Sequence, residues 1–67
     1  MNAHLSTLII RIAGGDTAFA KLIGLDPSKP GVQQRVHNWK SRGIPSAVVL
    51  ENYQAITALK NQVTPST

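Results

Sequence analysis

The sequence predicts an all-α fold of four to five helices in one small domain. Three observations lead there: apolar residues recur at helical rather than alternating spacing, glycines and prolines cut the chain into short segments, and 67 residues leave room for one core. A chain of this length buries only about 60% of the surface that its unfolded form exposes, so a second domain has no material for its own core. Hydrophobic residues make up 42% and charged residues 15%, a composition too apolar for a disordered chain. The longest aliphatic runs, Leu8-Ile9-Ile10 and Val48-Val49-Leu50, fall far short of the roughly 20 residues that a bilayer crossing takes. The N-terminus lacks the basic start, unbroken apolar centre and small-residue cleavage site of a secretory signal, so a cytoplasmic chain beginning at Met1 is expected.

Leu5, Leu8, Ile9 and Ile12 recur at i, i+3, i+4 and i+7 and predict a first helix with that apolar face, capped by Asn2. Gly14-Gly15 stops it, because glycine readily takes the left-handed conformation that closes a helix. Asp16 is expected to cap a short second helix from Thr17 to Ile23, with Phe19, Ala20, Leu22 and Ile23 available for burial and Gly24 ending it. Asp26-Pro27-Ser28-Lys29-Pro30-Gly31 reads as a loop. Val32, Val36 and Trp39 then define the inner face of a third helix, from about Pro30 or Gly31 to Lys40, closed by Gly43. Pro45 suits the first position of a fourth helix, with Ser46 as an alternative cap. Val49, Tyr53, Ile56 and Leu59 or Lys60 keep a helical spacing, and whether this stretch breaks near Asn52 into a fourth and a fifth helix stays open. Residues 1–62 form the expected domain and 63–67 a flexible tail, since Val63 to Thr67 carries proline, serine and threonine without apolar spacing.

Zero cysteines remove disulfides and thiolate metal sites together, so stability comes from packing or from self-association. Seven Lys and Arg against three Asp and Glu give a net charge of +4. Their distribution says more than the total. No acid lies between Asp26 and Glu51, a stretch that holds Lys29, Arg35, Lys40 and Arg42. That concentrated positive segment points to an anionic partner.

Two short helices joined at a glycine, the second with a valine three residues before a tryptophan, form the signature of a helix-turn-helix. Val36 and Trp39 pin the second helix inward, which leaves Gln33, Gln34, His37, Asn38 and Ser41 free to enter a major groove. These residue types suit the task, because Gln and Asn pair bidentately with adenine and His or Ser reaches base edges or phosphates. The runs AFAKLIG (Ala18 to Gly24) and VQQRVHNWKSRGIP (Val32 to Pro45), with Gly14-Gly15 ahead of them, resemble the Cro-type repressors of lambdoid phages and the related YdaS-like helix-turn-helix proteins. The likeness covers about residues 8 to 51. It departs at the turn, where Gly24 and Val36 stand twelve positions apart against the roughly six of a standard unit. Deleting Asp26 to Gly31 restores GLVQQRVHNWK, as expected of an insertion in the turn.

The resemblance implies a lambda-repressor-like DNA-binding domain acting as a transcriptional repressor in a phage or prophage. A homodimer would set two recognition helices into successive major grooves of double-stranded operator DNA in a bacterial host, at its nucleoid, and block polymerase sterically. Lys29, Arg35, Lys40 and Arg42 would neutralise phosphates, while Gln33, Gln34, His37, Asn38 and Ser41 would supply sequence choice. Two other readings stay open: an excisionase-like architectural DNA binder, and a protein-interaction module of a prophage toxin–antitoxin system. Some proteins of the family carry a C-terminal hairpin, but Glu51-Asn52 makes a poor hairpin turn, so helix is expected here.

Each feature also has a plainer reading. Trp39, in phase with two valines, is assigned to packing rather than to base stacking. A run of cations is often only a solvated face. The loop insertion is either a surface excursion or an arm whose Lys29 reaches a phosphate. Val49, Tyr53, Ile56 and Leu59 belong either to the core or to a dimer seam. No metal, cofactor, small-molecule substrate or membrane is expected as a partner, since His4 and His37 have no cysteine beside them and the acids are scattered. No carboxylate pair, nucleophile–base spacing or phosphate-cradling glycine loop suggests an enzyme.

Overall fold

The computed structural model describes residues 1–63. Five helices follow one another: α1 (Ala3–Ala13), α2 (Asp16–Leu22), α3 (Val32–Arg42), α4 (Ser46–Glu51) and α5 (Tyr53–Val63), with no strand among the described residues. The fold is all-α, and the stretch after Pro45 divides into two helices. The division falls at Asn52, whose backbone leaves the helical region (φ −122°, ψ 34°). Its side-chain amide and its backbone N–H both donate to the carbonyl of Val48, at 3.0 and 3.1 Å. Asparagine offers the backbone that alternative to a continued helix, and here the alternative wins.

Asn2 caps α1 as expected, its side-chain oxygen accepting the Leu5 N–H at 2.8 Å. At the other end Gly14 adopts φ 114°, and the N–H groups of Gly14 and Gly15 donate to the carbonyls of Arg11 and Ile10. The buried face matches the expected one only in part: Ile9 is buried and Leu5 packs against the core, but other positions are buried more deeply than Leu8 and Ile12. Ser6, Ile9 and Ile10 are buried, Ala13 packs against the core, and Ile12 is 40% exposed. The helical spacing is retained but displaced by one residue, to 6, 9, 10 and 13. An aliphatic run with several candidates for each position does not set its own phase; α1 lies against both α3 and α5, and their positions choose it.

Several smaller boundaries also shift. Asp16 is the first residue of α2 rather than its cap, with Gly15 before it and no side-chain capping bond. Pro45 precedes α4 (φ −58°, ψ 146°), so Ser46 is the first helical residue and caps nothing. The third helix begins at Val32 and runs to Arg42, later at both ends than expected. Leu22 is 47% exposed, and Ile23 is half-buried. Val63 closes α5 and packs half-buried against the core, so it does not belong to a flexible tail. The remainder of that expected tail, 64–67, lies outside the described residues.

The core gathers Ile9 and Ile10 from α1, Phe19 and Ala20 from α2, Val36 and Trp39 from α3, and Ile56 and Leu59 from α5. Phe19 and Trp39 meet edge to face, with centroids 6.4 Å apart and planes at 87°. Such a contact adds about 0.5–1.5 kcal/mol to area burial. Ile44, unassigned by periodicity because it lies between helices, is 1% exposed and completes this core.

A polar junction ties α1 to the end of α3. The fully buried Ser6 hydroxyl donates to the Asn2 carbonyl at 2.7 Å and accepts the Ile44 N–H at 2.9 Å. The Thr7 hydroxyl lies 2.9 Å from the carbonyls of Ala3 and Lys40, and its single proton serves the two. Lys40 carries one of the last four carbonyls of α3, which have no partner within the helix. Gly43, at φ 97°, is the hinge: a Cβ there would collide with the Met1 carbonyl.

Gly43→Ala should therefore destabilise the protein by more than about 1 kcal/mol, through both its backbone angle and the collision. Ser6→Ala should cost about 1–3 kcal/mol by leaving the Ile44 amide buried without an acceptor. Urea denaturation reads both, and wild-type midpoints in either variant would refute this junction.

Candidate nucleic-acid interface

Helix α3 is divided lengthwise. Val32, Val36 and Trp39 face the core at i, i+4 and i+7, with Val36 fully buried and Trp39 7% exposed. At 3.6 residues per turn the opposite face carries Gln34, Asn38 and Ser41, again at i, i+4 and i+7, and all three are exposed. His37 flanks this face on the side of α2, and Arg35 and Arg42 flank it on the other, two turns apart on one line.

The Gln34 and Asn38 side chains are joined, Gln34 Nε2 donating to Asn38 Oδ1 at 3.1 Å. This bond leaves the Gln34 oxygen as an acceptor and the Asn38 NH2 as a donor on the same exposed face. An adjacent acceptor and donor are what an adenine edge, with N6–H2 and N7, would pair with.

Gln33 is exposed too, but its Nε2 donates to the Pro27 carbonyl at 3.3 Å, so it serves the loop ahead of the helix. That loop is ordered by Asp26, whose Oδ1 accepts the Ser28 N–H at 2.9 Å and the Ser28 hydroxyl at 2.7 Å. The Ser28 hydroxyl, then its backbone N–H, hold the Asp26 carboxyl below the usual carboxylate range. A folded-state pKa lowered in this way stabilises the loop above the unfolded value and ceases to do so as pH falls through the folded one. Lys29 is exposed on the same loop.

Lys40 stands apart from the other expected phosphate contacts. Its side chain is only 32% exposed, and Nζ lies 3.0 Å from Asp16 Oδ1. Asp16 Oδ2 in turn lies 3.5 Å from His37 Nδ1. Asp16 Oδ1 is shut off from water and receives no hydrogen bond of good geometry, so the Lys40 charge is its main compensation. The amino end of α2 adds a favourable dipole. Sequence spacing pointed to Asp16 as a cap and missed this role, because a contact between residues 16 and 40 has no periodicity to announce it.

The exposed charged and polar set is therefore Gln34, Arg35, His37, Asn38, Ser41 and Arg42, with Gln33 and Lys29 beside it at the loop. Among the described residues no three His, Asp or Glu side chains converge to hold a metal ion, and no helix is long and apolar enough to cross a membrane.

Lys40→Ala should cost about 1–2 kcal/mol in urea denaturation, since it strands a desolvated carboxylate oxygen. Arg42→Ala, at an exposed position, should stay within about 0.5 kcal/mol. Equal losses would mean that the Asp16–Lys40 pair does not hold α2 to α3. No protein-family model matches the chain, and neither does any curated protein or solved structure.

Proposed function

We propose that this chain is a sequence-specific DNA-binding regulator whose α3 enters the major groove, a Cro-like phage or prophage repressor acting at the nucleoid of a bacterial host. One observation carries the reading: burial of Val36 and Trp39 turns Gln34, Asn38 and Ser41 outward together, between His37 on one side and Arg35 and Arg42 on the other. Amide side chains supply base choice, and the arginines, with Lys29 on the loop, supply phosphate contacts that release counterions. Lys40 contributes by holding α2 against α3. The architectural reading, which usually brings a β-wing, has less support, since the described residues form no strand.

The operator calls for two copies, and the α4–α5 end is where they would meet. No residue of α4 is buried, Leu50 is 73% exposed and Tyr53 60% exposed, and a groove beside them is lined by Leu5, Val49 and Leu50. Glu51 and Lys60, of opposite sign, also lie at this end.

Fluorescence anisotropy against the DNA flanking the coding region, over a range of salt, tests the first part. Affinity should fall steeply with salt, Gln34→Ala should cost about 1–3 kcal/mol on the bound site and little on random duplex, and Arg42→Ala should weaken both. Absence of binding in dilute buffer would overturn the reading, and binding to an acidic protein instead would favour the interaction-module alternative. For the second part, sedimentation should find a dimer in the native protein and a monomer in Leu50→Glu, whose exposed side chain is dispensable to the fold. A native monomer at 100 μM-scale concentration, on the order of a hundred times a micromolar dissociation constant, would exclude the dimer.

A further inference from the structure

The two ring nitrogens of a neutral histidine differ: one carries a proton and donates, the other carries a lone pair and accepts. In His37 the environments of the two are unlike. Nδ1 lies 3.5 Å from Asp16 Oδ2, while the side chain as a whole is 61% exposed. A carboxylate only accepts, so an unprotonated Nδ1 beside it would set lone pair against lone pair. The carboxylate is also held in place. Its other oxygen is shut off from water and lies 3.0 Å from the Lys40 ammonium, and Asp16 is fixed as the first residue of α2.

We infer that Asp16 is a positioning residue that fixes neutral His37 as its Nδ1–H tautomer, so that Nε2, the other nitrogen of this largely exposed side chain, presents an acceptor to the amino group of an adenine or cytosine in the major groove. The inference rests on the DNA-binding reading of α3 and deepens it by naming a base edge. The major-groove donors are adenine N6 and cytosine N4, whereas guanine offers N7 and O6 and thymine offers O4 as acceptors. A histidine protonated on Nε2 would select the opposite set. Asp16 thus narrows a side chain able to read either kind of edge to one kind, from behind α3 and without touching DNA.

The tautomer is measured on the free protein. In nitrogen-15 NMR of the imidazole rings at pH 8, His37 should show a protonated Nδ1 and a lone-pair Nε2. His4, exposed on α1, serves as the internal reference. Asp16→Ala should return His37 to the Nε2–H form that unconstrained histidine prefers. A lone-pair Nδ1 in the native protein overturns the inference, and should Asp16→Ala fail to fold, the native spectrum alone decides.

The base choice is read on a duplex that the native protein selects from a random pool. Every base pair carries one such amino group, so the contact is isolated by removing it: at the base pair where His37→Ala loses preference, purine in place of adenine or 2-pyrimidinone in place of cytosine should weaken native binding by about 3- to 10-fold, the worth of one hydrogen bond. Asp16→Ala should relax that position and leave those set by Gln34 and Asn38 unchanged. Indifference to loss of that amino group, or no position sensitive to His37, overturns the inference while the DNA-binding reading stands. A pool that enriches no duplex removes the functional reading and the base choice together, and the spectrum still decides the tautomer.

Discussion

The buried hydroxyl of Ser6, which links the Asn2 carbonyl to the Ile44 amide, sets the angle at which α3 leaves the core. A buried amide without an acceptor costs about as much as a good hydrogen bond contributes, so the segment after α3 has one low-energy position, against the first turn of α1. Gly43 allows the two backbones to touch, and Thr7 takes up the Lys40 carbonyl that the helix end leaves unpaired. With its C-terminus held there, α3 places Val36 and Trp39 onto Phe19 and the α1 isoleucines. The exposed row of Gln34, Asn38 and Ser41 follows geometrically, as the far side of the same cylinder.

Electrostatics fixes the second relation, between α2 and α3. One oxygen of Asp16 is out of contact with water, a position that an acid occupies only with a positive partner. Lys40 supplies it from α3, and the start of α2 supplies part of it through its amides. The acid also draws Lys40 inward, leaving Arg35 and Arg42 as the cations that frame the outward face of α3. The cationic segment is thus divided by function, one charge within the structure and the others at its surface.

At the far end of the chain Asn52 has an effect out of proportion to its size. By drawing its side chain and its own amide onto the Val48 carbonyl it separates α4 from α5. A continuous helix would carry Leu50 and Tyr53 along one axis. The break instead leaves α4 against α5 with none of its residues buried, and apolar surface remains exposed there in a chain with little core to spare.

Local chemistry made several elements legible from the residues alone: the Asn2 cap, the stop at Gly14-Gly15, the loop at 26–31, and the inward Val36 and Trp39 with outward Gln34, Asn38 and Ser41. Each rests on interactions within a few residues, such as a cap, a backbone angle or a helical spacing, and such interactions are present in the sequence itself. The phase of α1, the burial of Ile44 and Ser6, the inward turn of Lys40, the engagement of Gln33 with the loop and the break at Asn52 were decided otherwise. Aliphatic residues that are interchangeable in hydropathy are sorted by which neighbour arrives from elsewhere in the chain. A carboxylate finds its cation across 24 positions only once two helices have packed. Residue order therefore determined which segments are helical and which side of α3 is apolar. Tertiary packing alone chose which polar side chains hold the molecule together and which stay at its surface, because that choice depends on desolvation, and desolvation exists only in the folded globule.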